Sequence, residues 1–222
     1  MDLRDNALFV GLSAEAKREL GHSFSPRRYA EGSRIIAADD RSTDLFLVVS
    51  GRLSVRSFAD DGHEVAFVEI GPGAFFGELA AIDGGPRSAD VMAAEESVLA
   101  TMRAEALREA VLRHPQLGLN LAIHLAGRVR DLSGRVFEVS TLRSSQRIRR
   151  ELLRLARNGY PTLNAVDIRP APTHYEIAAR TSTHREAVSR ELSALATRRI
   201  LRTGRKTITI IDMAALERLA ES

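Results

Sequence analysis

The segment Phe75-Phe-Gly-Glu-Leu-Ala-Ala-Ile-Asp-Gly-Gly-Pro-Arg-Ser-Ala-Asp-Val91 gathers glycine turns, paired charges and a hydroxyl into one short run. Gly77-Glu78-Leu79 is expected to open a short helix, and the N–H groups at helix starts attract anions. Arg87 offers a permanently charged planar fork matched to phosphate oxygens. Ser88 adds a hydroxyl donor, and Glu78 is an acceptor able to hold a sugar hydroxyl. Two readings fit: a phosphate pocket, or a salt bridge between Glu78 and Arg87 across a turn.

Around this segment, residues 30–103 read as short strands parted by glycine. Apolar runs at 44–49, 53–56, 65–70 and 98–102 alternate with Gly32, Gly51, Asp61-Gly62, Gly71-Pro72-Gly73 and Gly84-Gly85-Pro86. Short strands at regular turn spacing point to an antiparallel barrel or roll. Asp61-Gly62 is a hairpin signal. The pattern then turns helical over 105–113, and His114-Pro115 precedes a run from 116 to about 142 with no proline and little glycine. Proline is tolerated in a first helical turn. Ala122, Leu125, Val129, Leu132, Val136 and Val139 step by three and four, the period of a coiled-coil seam. A helix of that length is a rod of about 40 Å. Its seam packs either on the chain's own sheets or against a second copy, and a homodimer seam is the expectation.

The last eighty residues form another unit. Residues 146–157 are amphipathic, with Ile148, Leu152, Leu153 and Leu155 on one side. Thr173-His-Tyr-Glu176 and Thr183-His-Arg-Glu186 both fit the capping-box pattern. Helix, tight turn at 180–182 and helix make a helix-turn-helix pattern locked by Ile177, Ala178, Val188, Leu192 and Leu195. Residues 200–211 give two β-rich runs around Gly204, a wing carrying Arg202, Arg205 and Lys206. With Thr183 as the cap, Arg185, Glu186, Ser189 and Arg190 fall in the N-terminal turns of the second helix, which enter the major groove in such motifs. Arginine suits guanine and glutamate accepts from cytosine N4; the alternative is a capping carboxylate and a surface Glu186–Arg190 pair. Thr183, His184, Arg180, Arg205 and Lys206 are candidate phosphate contacts.

Charge divides the chain the same way. Of 222 residues with a net charge of +3, the stretch 143–222 holds sixteen Lys and Arg against eight Asp and Glu, a net +8, leaving −5 for 1–142. A basic part joined to an acidic part implies different partners, nucleic acid for the basic one. The hydrophobic fraction of 44% suits a folded protein of ordinary composition. No run approaches a membrane span. Met1-Asp2-Leu3-Arg4-Asp5 lacks the order of a signal peptide, so the expected compartment is the cytoplasm with no membrane partner.

These segments together resemble the CRP/FNR superfamily of transcription regulators over essentially the whole chain. Residues 75–91 are similar to the phosphate-binding cassette of cyclic-nucleotide-binding domains, and Gly32, Gly51, Gly62 and Gly73 match the glycine landmarks. The resemblance implies an α+β fold: an N-terminal cyclic-nucleotide-binding β-roll of eight strands, jelly-roll-like, over 1–114; a dimerisation helix over 115–142; and a C-terminal winged helix-turn-helix over 143–222. Glu78 would take the ribose hydroxyl, with Gly77 and Leu79 beside it. Arg87, Ser88 and the Ala89 amide would bind the cyclic phosphate. Val55 and Phe67 would line the base pocket, and Arg128 would reach the nucleotide from the long helix. Leu132-Ser133 falls where cyclic-AMP receptors carry Thr-Ser: Ser133 matches, and Leu132 lacks the hydroxyl, a loss of about 0.5–1.5 kcal/mol. Arg185-Glu186-Ala-Val-Ser-Arg190 resembles the readers of TGTGA-type half-sites; Glu186, Ser189 and Arg190 also match the FNR reader of TTGA-type sites, and Arg185 favours the TGTGA-like palindrome.

The resemblance implies cyclic AMP as effector, with cyclic GMP, another small ligand or ligand-free DNA binding as alternatives. Its partners would be double-stranded DNA, a second copy of the chain and RNA polymerase, whose contact surfaces in this family occur near loop 158–167. The chain has no cysteine, which rejects cluster sensing through cysteines and Cys-ligated zinc. His22, His63, His114, His124, His174 and His184 are scattered, each expected at the surface or near a cap, so no haem or other metal is expected. No HExxH, Walker A or GxSxG pattern and no Cys–His pair occurs, and no enzyme activity is expected.

Overall fold

The computed structural model describes residues 6–58, 64–163 and 165–221, with the side chains at 57–67 outside the description. The Asp61-Gly62 turn, Gly62 and the Phe67 side chain therefore lie outside the described residues. The chain divides into two compact units, 1–131 and 132–222. The long helix expected at 115–142 is a single element shared by both.

The first unit opens with a 3₁₀ turn, Ala7–Phe9, and helix α1, Ala14–His22. Strands β1 (Ser25–Tyr29), β2 (Arg34–Ile36), β3 (Leu45–Ser50), β4 (Leu53–Phe58), β5 (Glu64–Ile70) and β6 (Phe75–Phe76) follow. Helix α2 (Glu78–Asp83) interrupts them before β7 (Asp90–Ala93) and β8 (Ser97–Met102). These strands form two four-stranded sheets, ordered β1-β8-β3-β6 and β2-β7-β4-β5, with antiparallel pairing throughout. Strand β3 explains the layering. Leu45, Phe46, Leu47 and Val48 are all buried, because alternate side chains enter different cores. Leu45 and Leu47 join Leu8, Phe9, Leu20, Met102 and Leu107. Phe46 and Val48 join Ile36, Leu53, Phe76, Val91 and Leu99 between the sheets. The β3–β4 turn passes through Gly51 at φ +90°, where a Cβ would lie 2.2 Å from the Ser97 hydroxyl, so only glycine fits.

Helix α3 (Ala104–Arg113) leads into α4 (Pro115–Thr141). Buried Asn120 anchors α4 by donating to the carbonyls of Leu8 (2.9 Å) and Val10 (2.8 Å). Along the expected seam, Val129, Leu132, Val136 and Val139 are 48–66% exposed, and Phe137 joins them at 62%.

The second unit continues with α5 (Ser144–Arg157), β9 (Tyr160–Pro161), β10 (Val166–Ile168), α6 (His174–Arg180), α7 (Arg185–Thr197), β11 (Leu201–Gly204), β12 (Thr207–Ile210) and α8 (Met213–Glu221). Its sheet is ordered β11-β12-β10-β9. Ile148, Leu152 and Ala156 recur every four residues on α5 and enter one core with Ile177, Val188, Leu192, Leu195 and Leu216.

One polar cluster is buried in that sheet. Asp167 on β10 faces Thr209 on β12, whose hydroxyl donates to it at 2.6 Å, and Arg169 also bonds it. The Thr209 hydroxyl holds the Asp167 carboxyl below its ordinary value. Burial opposes this, and Arg169 and Arg202 add to it. A carboxyl depressed in the folded state stabilises the fold above its unfolded value, about pH 4, and loses that contribution as pH falls through the lower folded value. Thr209→Val removes the main donor. The variant is expected to begin acid unfolding at a higher pH than the parent, read by circular dichroism across an acid titration.

Candidate functional site

The first unit carries a small cleft of about 90 Å³, partly open to solvent. Its lining includes Val55, Gly77, Glu78, Leu79, Arg87, Ser88, Ala89 and Arg128. Thus the residues of segment 75–91 singled out in the sequence converge on one space. Strand β4 sets Val55 opposite Val68 and Val91. Strand β6 buries Phe76, stacked on Phe46 with centroids 5.0 Å apart. The chain then turns through Gly77 at φ +79° into α2.

Arg87 is 3% exposed. Its Nε donates to Ser42 Oγ at 3.0 Å, Nη1 to the Gly77 carbonyl at 3.0 Å, and Nη2 to the Asp44 carbonyl at 2.8 Å. Its backbone is tied as well, N–H to the Asp40 carbonyl and carbonyl to the Asp39 N–H. The plain Glu78–Arg87 salt bridge is therefore not what holds the guanidinium. Burial lowers Arg87 from the ordinary arginine value, with Asp44, Asp40 and Glu78 opposing that fall through their charge. Gly77 permits this arrangement: a Cβ there would lie 2.5 Å from Arg87 Nη1 and 2.9 Å from the Asp44 carbonyl. Ser88 is exposed beside Arg87.

Glu78 is 6% exposed, and its Oε1 lies 3.9 Å from Nε2 of His124 on α4. The His124 ring packs on Phe75 at 4.3 Å between centroids. His124 thus departs from the expectation of a surface or cap histidine. The available signal was its place one turn before Arg128 on α4. Leu132 and Ser133 are exposed on the second unit's part of α4 and are not part of the cleft lining. Among the described residues no group of His, Asp and Glu could hold a metal ion, and no helix is long and apolar enough to cross a membrane.

In the second unit, Thr173 caps α6: its hydroxyl accepts from the Glu176 N–H, and the Glu176 carboxylate accepts from the Thr173 N–H. The matching box at Thr183 does not form. The N-cap of α7 is His184, without a side-chain cap bond, and Glu186 sits in the second helical position. The reason is the turn. Ser182 takes φ +49°, and the Thr183 N–H is used by the Ala178 carbonyl, which delays the helix start by one residue. Arg147 on α5 fastens that turn, donating to the carbonyls of Thr181 (2.8 Å) and Ser182 (2.9 Å).

Arg185, Glu186 and Arg190 are exposed on α7, with Glu186 and Arg190 one turn apart. Ser189 is half-buried, its hydroxyl 2.8 Å from His174 Nδ1. Arg205 and Lys206 stand exposed at the tip of the β11–β12 wing, and His184 is exposed before α7 with Thr183 half-buried. Arg180 differs from its expected role. Its side chain is 12% exposed and its Nη1 lies 3.5 Å from buried Glu151, so it serves the unit's interior.

The family model for the cyclic nucleotide-binding domain matches residues 26–114, and that for the Crp-like helix-turn-helix domain matches residues 146–219. The chain is 33% identical over 219 residues to the cyclic AMP receptor protein of Thermus thermophilus, covering 98% of each chain. It is 28% identical over 214 residues to a CRP-like cAMP-activated global transcriptional regulator of Mycobacterium tuberculosis, covering 96% of each. Among solved structures it is similar to the catabolite activator protein of Thermus thermophilus, with a TM-score of 0.59 at 32% identity, covering 97% of this chain and 99% of that one. A nucleotide-type cleft, a winged helix-turn-helix and these likenesses end to end lead to one conclusion: the chain belongs to the CRP/FNR family of transcription regulators.

Proposed function

We propose that the protein is a homodimeric transcription regulator whose DNA binding is controlled by cyclic AMP and which reads a TGTGA-like palindrome. The observation that carries the effector reading is the buried guanidinium of Arg87 in the cleft with Glu78 and Ser88. Three of its N–H groups bind protein acceptors, and a guanidinium has five. The remaining donors, the Ser88 hydroxyl and the Ala89 amide suit the two free oxygens of a cyclic phosphodiester. Glu78 then accepts from the ribose hydroxyl, Val55 flanks the base, and Arg128 approaches from α4. The names of the Thermus and Mycobacterium relatives support cyclic AMP over cyclic GMP.

The exposed seam of α4 supports the dimer. Covering a side chain such as Val136 or Phe137 contributes about 1.5–3 kcal/mol, and a two-fold dimer would set two α7 helices one DNA turn apart. Arg185, Glu186, Ser189 and Arg190 then read base edges, with Arg205 and Lys206 on phosphates. Leu132 and Ser133 lie near the base in this reading, and nucleotide binding favours the helix arrangement that presents both readers, with 140–145 as the hinge. RNA polymerase is the further partner, supported by exposed Tyr160 and Leu163 on loop 158–167. The setting is the cytoplasm, and the protein acts by binding rather than catalysis. A second reading, DNA binding without a cyclic nucleotide, rests on Leu132, which has no hydroxyl to read a purine.

Calorimetry with each cyclic nucleotide separates the two readings. Arg87→Leu is expected to weaken cyclic AMP binding by about a hundredfold or more, since charged hydrogen bonds contribute about 1.5–3 kcal/mol each. Ser88→Ala, at an exposed position, is expected to cost about tenfold with the melting temperature unchanged. No heat with either nucleotide favours the second reading. For DNA, Arg185→Ala is expected to relax preference at one base pair per half-site, while Lys206→Ala weakens binding to all duplexes and flattens the salt dependence. Equal losses on operator and random duplex for Arg185→Ala contradict the base-reading role.

A further inference from the structure

Ser189 differs from the other candidate base readers on α7 in having its side chain held by another helix. It lies one turn after exposed Arg185 and one residue before exposed Arg190. Its hydroxyl sits 2.8 Å from Nδ1 of His174, and both residues are half-buried. His174 is the first residue of α6, where the Thr173–Glu176 capping box fixes the helix start. The imidazole thus reaches α7 from backbone that is itself tied down. Ile177 and Ala178 of α6 share one core with Val188 and Leu192 of α7, which keeps the two helices in register. Hydroxyls elsewhere in the helices show the ordinary alternative. Those of Ser140, Thr141 and Thr197 donate to the carbonyl one turn back, at 2.7–3.0 Å. The Ser189 hydroxyl is turned across to α6. The bond holds whichever partner donates, because a hydroxyl can donate or accept. What it fixes is the rotamer, one of three staggered choices open to a serine.

We propose that His174 is a positioning residue for sequence reading: it holds the Ser189 hydroxyl in the orientation that meets a base edge, so preference at the base pair read by Ser189 depends on a side chain of α6. The inference rests on reading α7 as the DNA-reading helix. A free serine hydroxyl turns to suit a donor or an acceptor edge, whereas a held one presents a single pattern to the groove. Removing Nδ1 therefore costs discrimination between bases. The sequence-independent part of binding comes from phosphate contacts and stays as it was.

The test uses full-length protein with saturating cyclic AMP. Fluorescence anisotropy compares a TGTGA-type palindrome, its symmetric single-base-pair variants and a random duplex. His174→Phe keeps a ring and removes Nδ1, His174→Ala removes the ring, and Ser189→Ala removes the hydroxyl. Ser189→Ala is expected to flatten preference at one base pair per half-site by about threefold or more. Both His174 variants should flatten the same base pair to a similar degree, and His174→Phe with Ser189→Ala should do no more than either change alone. Binding to the random duplex should stay within about 1.5-fold of the parent throughout. Even losses on all duplexes for the His174 variants overturn the inference: with a flatter salt dependence His174 is a phosphate contact, and with a lowered melting temperature it is a packing residue. Preference kept by the His174 variants but lost in Ser189→Ala, or additive losses in the double variant, also overturn it and leave the DNA-reading helix intact. No change at any base pair in Ser189→Ala, or no preference for the palindrome by the parent, removes the base-reading assignment and the inference with it.

Discussion

The buried guanidinium of Arg87 is the constraint around which the first unit is arranged. A cation taken out of water needs every available hydrogen bond. Here the acceptors come from two distant stretches of chain: Ser42 and Asp44 ahead of β3, and Gly77 at the entry to α2. The three bonds tie segment 75–91 together and to the residues that lead into β3. They also explain why position 77 is glycine. A side chain there would collide with the guanidinium and with the Asp44 carbonyl, and the backbone needs a positive φ. The seating of the guanidinium and the fold of its loop are thus one structure.

The second unit uses buried charge differently. Arg147 closes the helix-turn-helix turn, Arg149 pairs with Glu191 at 2.6 Å, and Arg180 faces Glu151. Arg154 bonds Glu138 near the end of α4 and Glu151 on α5. Several of the arginines behind the +8 of residues 143–222 therefore hold the unit together. Other basic side chains stand exposed, among them Arg185 and Arg190 on α7 and Arg205 and Lys206 on the wing. Composition identified the half of the chain that the helix-turn-helix model matches.

Much of the architecture was legible because its signals are local and periodic. The α4 rod shows in the steps of three and four from Ala122 to Val139, the wing in two β-rich runs around Gly204, and the cassette in one contiguous motif. What escaped depends on tertiary partners. Strand β1, Ser25–Tyr29, contains a proline and two arginines and is largely exposed; only pairing with β8 makes it a strand. The Thr183 box satisfied the residue pattern but lost its N–H to Ala178, a contact that needs the folded turn. His124 looked isolated in sequence, since Glu78 meets it only after α4 packs beside the roll. Arg180 looked like a DNA ligand until Glu151 became its partner.

We propose that the nucleotide cleft and the DNA-reading helix are energetically coupled. The direct measurement is fluorescence anisotropy of a TGTGA-type palindromic duplex titrated with the protein, with and without saturating cyclic AMP. Coupling between sites in such switches is about 1–3 kcal/mol, or roughly 5–150-fold in affinity. Such coupling predicts a tightening in that range for the palindrome and none for a scrambled duplex. Identical binding curves with and without cyclic AMP would contradict it.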